Sequence, residues 1–237
     1  MANQVAKVSL VAIADIEEVT GIADASLAEL SGLEFTGVTD AMTLLGTVSE
    51  TDVTSISVND STLTTGIDST YDMHIFEIIN AHSHGDQGTQ QNLQFAVNAT
   101  NTTSYNAIKI DSAFGLMFHD EDDSSAGGFT SGDTARNEVQ TAGYVNLTSY
   151  EGNESDESSN GQIIFWGLGS TSYEKHYVSQ FSTQAGHDAN IMFDTRGVIQ
   201  GTGGSGNAVA AIDDFNFKFK AGSNISATIK VWGMAKS

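Results

Sequence analysis

Two histidines one residue apart are the first feature of this sequence that could bind a metal ion. His82 and His84 follow a strand-like run, and residues spaced i, i+2 on a strand point to the same face. Metal-binding β enzymes whose motif begins this way add a Glu a few residues later and a distant third His. Here the next acid is Asp86, and no Glu follows at that spacing. A plain surface loop is therefore the favoured interpretation.

A dense acidic cluster at residues 119–123 could bind a different kind of ion. Asp120, Asp122 and Asp123 are candidate ligands for Ca²⁺, because hard cations are held by several oxygen ligands. The run does not match the EF-hand pattern, and the chain is already short of bases. We therefore favour a solvated loop and predict that the protein has no metal site.

The sequence contains no arrangement typical of a catalytic centre. Ser172 and Lys175 fit S-x-x-K, a nucleophile motif that needs a helix to place its Lys above its Ser. They lie at the start of a predicted strand, where the two side chains face opposite sides. The signatures of a nucleophile elbow, a phosphate-binding loop and a dinucleotide site are missing. We therefore predict a protein that is not an enzyme, with neither catalytic residues nor cofactors.

Both tryptophans of the chain, Trp166 and Trp232, fall inside predicted strands. Aromatic rings can stack on sugar rings, so a carbohydrate platform is one interpretation. A position in the core or in a contact between subunits is favoured, because large aromatic side chains in strands are mostly buried.

The charge of the chain reflects a shortage of bases rather than an excess of acids. Of 237 residues, 30 are Asp or Glu and only 9 are Lys or Arg, which gives a net charge of −21. This balance argues against nucleic acid and anionic membranes as partners, because both need a basic surface. We expect neither a signal peptide nor membrane insertion. With no Cys and no Pro, the chain forms no disulfides, and its turns must use Gly, Asn, Asp and Ser.

The first 33 residues repeat with a period of 11. A Gly beside a β-branched residue in these units disfavours a continuous helix, so we expect short strand-and-turn units. Each unit is too small to bury its own apolar positions, and we expect them to pack against two further copies in a homotrimer. The alternative is an amphipathic segment packed on its own domain. The stripe consists of Val5, Val8, Val11, Ile16, Val19, Ile22, Leu27, Leu30 and Leu33.

The remaining chain is expected to be β-structure. Residues 34–70 are rich in Thr, Ser, Asp and Gly and predict a connector with one or two strands. Residues 71–237 show about nine short strands separated by turn signals, and the clearest alternation is Phe215, Phe217 and Phe219. This pattern predicts an all-β fold, an antiparallel jelly-roll β-sandwich preceded by an extended, repeat-bearing N-terminal arm.

Two stretches resemble virion structural proteins of marine tailed phages, a cyanophage-like family. Residues 69–82 are similar to the family's opening strand, S-x-Y-D-x-Y-x-F-x-F-x-N-x-H. Residues 212–235 are similar to its ending, I-x-x-F-x-F-x-x-x-S-G-N-I-x-x-G-T-I-x-L-Y-G. Ala227 stands where Gly is usual and Trp232 where Tyr is usual, and neither breaks the strand pattern. The resemblance covers residues 69–235, and the N-terminal units resemble repeats that precede such domains in phage fibres.

The resemblance implies a place in the virion and no catalytic residues. We therefore expect a non-enzymatic structural protein of a tailed bacteriophage, in the form of a short trimeric fibre or spike. Its arm would bind other virion proteins, and its exposed body would contact a host surface glycan. A capsid decoration protein is the alternative within this class, and a carbohydrate-binding module is the alternative from another class. Such parts are made in the host bacterial cytoplasm and displayed on the particle surface.

Overall fold

The computed structural model describes the body of the chain and four short strands that precede it. The described residues are 18–19, 22–23, 29–30, 33–34, 42–85, 91–99, 105, 108–120, 127–131, 138–149, 151–152, 154–185, 189–200 and 210–235. The chain divides into two units, Met1–Ala41 and Met42–Ser237.

The N-terminal unit contains two small hairpins that lie one repeat apart in the chain. β1 (Glu18–Val19) pairs with β2 (Ile22–Ala23), and β3 (Glu29–Leu30) pairs with β4 (Leu33–Glu34). The two strand pairs lie 11 residues apart in the chain, at equivalent positions of the repeat. The other stripe residues, Val5, Val8, Val11, Ile16 and Leu27, lie outside the described residues. The trimer stays a prediction.

In its described residues, the second unit contains thirteen strands. They are β5 (Met42–Val53), β6 (Ile56–Asn59), β7 (Tyr71–Ser83), β8 (Leu93–Ala99), β9 (Lys109–Asp120), β10 (Gly127–Ser131), β11 (Glu138–Ala142), β12 (Val145–Asn146), β13 (Ser159–Trp166), β14 (Lys175–Ala185), β15 (Ala189–Gln200), β16 (Ile212–Phe219) and β17 (Ile225–Ala235). Among the described residues no helix is long and apolar enough to span a lipid bilayer.

Eight of these strands form the two sheets of a jelly roll. One sheet contains the order β5-β17-β7-β13 and the other the order β12-β8-β16-β6, with antiparallel pairing throughout. Strands that follow one another in the chain cross between the sheets, except β8 and β12, which share one. This arrangement is the double Greek key of a jelly roll, so the predicted all-β sandwich is confirmed.

Five further strands widen the first sheet beyond β13. The order continues β14-β15-β9-β10, and β11 also pairs with β9. The β14–β15 hairpin is inserted between β13 and β16, whereas β9 to β11 are inserted between β8 and β12. Shortly after the acidic cluster, the chain forms β10. Gly127 and Gly128 hid this strand, because Gly adds no side chain to an alternating pattern.

The region predicted as a connector contributes two of the jelly-roll strands. β5 pairs with β17 at the edge of the large sheet, and β6 pairs with β16 at the edge of the small one. The sandwich therefore begins at Met42 and not at residue 71. One or two strands were expected here, but their place in the sandwich was not. Thr and Ser occupy many outward positions, and Leu44 and Leu45 are adjacent apolar residues that point to opposite faces.

Aromatic side chains join the two sheets in the core. The ring of Phe76 on β7 lies 4.6 Å from that of Phe215 on β16, and Phe165 on β13 lies 5.1 Å from the same ring. Phe217 and Phe219 are buried with Phe215, which confirms the alternation predicted for β16. Edge-on and tilted ring pairs of this kind add to the stabilisation that burial alone provides.

Turns without proline are held by Asn, Asp and Ser side chains, as the composition predicts. The Asn59 side-chain oxygen accepts hydrogen bonds from the backbone and the hydroxyl of Ser61, at 3.0 and 2.6 Å. The Asp60 carboxylate accepts one from the backbone N–H of Ile67, at 3.0 Å. These bonds fix the turn after β6 locally, as Asx-turns do.

One core position holds a histidine instead of an apolar residue. His74 is fully buried on the inner face of β7, its ring lies edge-on to Tyr71 at 5.9 Å, and neither ring nitrogen has a hydrogen-bond partner. Burial lowers the pKa of His74 from 6.5 to about 4, against the opposing effect of Asp68. The folded protein therefore holds this ring neutral at and above pH 6.5.

An acidic residue at the centre of β17 should unfold the sandwich. Ile229 is 1% exposed and pairs with Val48 and Ile78, so Ile229→Asp buries an unpaired charge. We expect a loss of at least about 4 kcal/mol in the free energy of unfolding, measured by chemical denaturation. Thr228→Asp places the same charge on the outward face of the strand and should cost much less. Equal losses would show that the assigned faces are wrong.

Acid should destabilise the fold through His74. Below pH 6.5 the unfolded chain binds a proton at this ring and the folded chain does not, so stability falls as the pH drops from 6.5 to about 4. The full loss from this group is about 3 kcal/mol. His74→Leu should remove this part of the pH dependence in urea unfolding curves, and His176→Leu, at an exposed position on β14, should keep it. The same slope in both variants would contradict this account.

Candidate functional site

The outer face of the large sheet carries two adjacent rows of mostly apolar side chains at one end. Residues paired across a sheet point to the same side, so the strand register defines each row. The first row, from β5 to β15, is Met42, Met234, Met73, Trp166, His176 and Val198. The second row, in the same strand order, is Leu44, Trp232, Ile75, Ile164, Val178 and Arg196.

Ten of these twelve residues form what we call the apolar face. Met42 and Leu44 are each 44% exposed and Trp166 is 39% exposed, while the others are half-buried by their neighbours in the sheet. The apolar face consists of Met42, Leu44, Met73, Ile75, Ile164, Trp166, Val178, Val198, Trp232 and Met234. A contiguous apolar surface of this kind on a water-soluble fold marks an interaction site more often than chance.

Within the three rows on these six strands the charges balance in pairs, whereas Asp111 on β9 continues the first row beside Val198. Lys230 lies 3.9 Å from Glu77, and Arg196 lies 3.0 Å from Asp194. The third row is otherwise uncharged and consists of Thr47, Lys230, Glu77, Gln162, Gln180 and Asp194. Exposed ion pairs of this kind stabilise the fold little. Their consequence here is that the three rows on these six strands carry no net charge in a chain of net charge −21.

Both tryptophans belong to this face rather than to the core. Trp166 and Trp232 lie on β13 and β17, on either side of β7 and in different rows. The core position that we considered from the sequence is therefore wrong for both side chains. A contact between subunits and a ligand platform remain as the two readings.

The two histidines predicted to share a face do so. The rings of His82 and His84 lie 4.9 Å apart. His82 Nδ1 donates to the carbonyl oxygen of Glu157 at 2.8 Å, and His84 Nε2 lies 2.6 Å from Ser226 Oγ. Within the described ranges, no three His, Asp or Glu side chains come together as metal ligands. Asp120 ends β9, and the other candidate ligands, Asp122 and Asp123, lie outside the described residues.

Lys175 of the S-x-x-K motif is buried, and its ammonium group binds backbone carbonyl oxygens instead of activating a nucleophile. Its ammonium donates to the carbonyl oxygens of Ser170, Tyr173 and Ala210, at 2.6, 3.3 and 2.5 Å. Burial lowers the pKa of Lys175 to about 8, against the opposing charge of Glu174. The side chain ties the turn between β13 and β14 to the start of β16, which is a structural role.

The outer face of the small sheet is covered by a satisfied polar cluster. The hydroxyl of Tyr105 donates to Asp214 at 2.7 Å, and that of Tyr144 donates to Asn216 at 2.7 Å. The ammonium of Lys218 lies 3.7 Å from the centre of the Tyr144 ring. Burial is the largest cause of the raised pKa of both tyrosines. Both tyrosine hydroxyls donate their hydrogen to groups of the same chain. The cluster is therefore a poor candidate for a ligand-binding site.

A buried carboxyl lies at the far end of the sandwich from the apolar face. Glu151 is 1% exposed and accepts a hydrogen bond from Ser159, whose hydroxyl also lies 2.7 Å from Thr183 Oγ1. Burial raises the pKa of Glu151 well above its usual value, and the charge of Glu157 adds to this, although the bond from Ser159 opposes it. Folding therefore favours the protonated form of the Glu151 carboxyl over the ionised form.

Comparison with protein families, with curated proteins and with solved structures found no match for this chain.

The buried carboxyl should make stability fall as the pH rises. The unfolded chain releases the Glu151 proton near pH 4.5 while the folded chain retains it, so stability decreases upward from 4.5 until the folded pKa is passed. Glu151→Gln should flatten this part of the profile, as measured by thermal melting across pH. Glu154→Gln, which alters a neighbouring exposed carboxylate, should leave the profile unchanged. A Glu151→Gln profile with the original slope would rule out this origin.

Proposed function

We propose that this chain is a non-enzymatic structural protein of a tailed-bacteriophage particle, displayed on the particle surface. The observation that supports it most is the apolar face on a jelly-roll body. Ten apolar residues in two adjacent rows are unfavourable on the surface of a monomer in water, whereas a subunit of an assembly can bury them in a contact. The resemblance of residues 69–235 to phage virion proteins supports the same assignment.

In the form that we favour, the protein is a short trimeric fibre or spike. The arm with its 11-residue units serves as the stem and binds other virion proteins, and the body is presented outward to a host surface glycan. The two hairpins at equivalent positions of the second and third units support a repeated stem. A capsid decoration protein has the same parts, and its arm would lie along the capsid lattice.

The location of the chain on purified particles tests this function directly. Antibodies raised against the chain should label intact particles in electron micrographs, at the tail for a fibre or over the head for a decoration protein. Particles that lack the chain in both labelling and mass spectrometry would overturn the proposal.

The stripe should decide whether the chain is incorporated into particles. Replacing Val8, Val19 and Leu30 with Asp puts charge into one apolar position of each unit, and we expect this variant to be lost from particles although its body stays folded. The matched control places Asp at the neighbouring polar positions Ser9, Thr20 and Ser31 and should still be incorporated. Circular dichroism checks the fold of both variants. Equal incorporation would show that the stripe is not the anchor.

A further inference from the structure

We propose that the apolar face docks against the same face of a second copy of this chain. The proposal rests on the function proposed above and deepens it, because it names the surface through which the body of one trimer would contact the body of another in the particle. It rests on the size of the face, its charge and the positions of its two tryptophans.

The size of the face matches what a contact between two copies needs. Six adjacent strands spaced by about 4.8 Å span about 29 Å, and two rows cover about 14 Å along the strands. Two copies would therefore bury about 800 Å² between their apolar faces. The third row adds about half as much again, which brings the contact to about 1,200 Å², the lower bound for a specific interface.

The charge of the face favours a second copy over a charged partner. Two copies of this chain repel each other overall, because each contains 30 acidic and only 9 basic residues and has a net charge of −21. Here Lys230 offsets Glu77 and Arg196 offsets Asp194, so two such faces approach without net repulsion. Neither a polyanion nor a polycation finds an opposite charge at this surface.

The tryptophans are staggered so that two faces can fit together. A two-fold axis in the plane of contact, parallel to the strands and midway between β7 and β13, pairs all six strands and keeps the rows aligned. It brings β13 of one copy opposite β7 of the other, and β17 opposite β14. Trp166 then faces Met73 of the second copy, and Trp232 faces Val178. Each bulky ring therefore meets an aliphatic side chain instead of another ring. The contact is self-complementary, as an isologous interface must be.

A matched pair of charge substitutions on one strand tests the contact in the full-length protein. Val178→Glu places a carboxylate inside the apolar face, and Ser182→Glu places the same group on the same face of β14, in the row beyond the third. We expect Val178→Glu to raise the dissociation constant for self-association by about a hundredfold or more, and Ser182→Glu to change it by about threefold or less. Ile164→Glu repeats the disruption on β13. Light scattering over a range of concentrations measures the mass, and thermal melting checks the fold.

Tryptophan fluorescence gives a second readout that comes from this face alone, because Trp166 and Trp232 are the only tryptophans in the chain. As the concentration rises, the emission maximum should shift to shorter wavelength in the wild-type protein and in Ser182→Glu but not in Val178→Glu. Added salt should strengthen the association, because it screens repulsion between two chains of net charge −21.

Three results would overturn the proposal. One is a wild-type mass that does not rise with concentration, and another is an equal loss of association in Val178→Glu and Ser182→Glu. The third is an Ile164→Glu protein that associates as the wild type does. None of them bears on whether antibodies label the particle, so failure of this contact is distinguishable from failure of the proposed function.

Discussion

The packing of Phe76 and Phe165 against Phe215 is the contact on which the rest of the body depends. It joins the large sheet to the small one at the centre of the core. Because side chains alternate along a strand, the residues that precede these two rings, Ile75 and Ile164, must point to the opposite side. The same strands that build the core therefore also build the outer surface. An apolar residue next to each core ring leaves that outer surface apolar.

The fold could be predicted where a strand has one apolar face and one polar face. β16 alternates buried Phe with Asp, Asn and Lys, and both its existence and its orientation follow from the sequence. β5 was harder to predict because apolar residues stand on both of its faces, and β10 was missed because two of its five residues are Gly. Local patterns predict a strand when its two faces differ and are ambiguous when they do not.

The apolar face could not be predicted from local patterns, because it is formed by register across six strands that come from four separate parts of the sequence. A signal was present nonetheless. Ile163, Ile164, Phe165 and Trp166 are four consecutive apolar residues, a pattern typical of a strand that is covered on both faces. We took both tryptophans for core or interface residues on the strength of strand propensity, and propensity does not say which face of a strand meets the other sheet.

The ends of the sandwich strands have a mechanical consequence. The chain enters the body at Met42, which pairs with Met234 close to the end of β17, so the first and last strands meet at the same end of the large sheet. A force that pulls those two ends apart would peel β5 from β17 one residue pair at a time. A force between Met42 and the opposite end of the sheet, where β7 ends at Ser83, would run along the strands and load many hydrogen bonds together. A body held at Met42 and gripped at that opposite end would resist tension in its stronger direction.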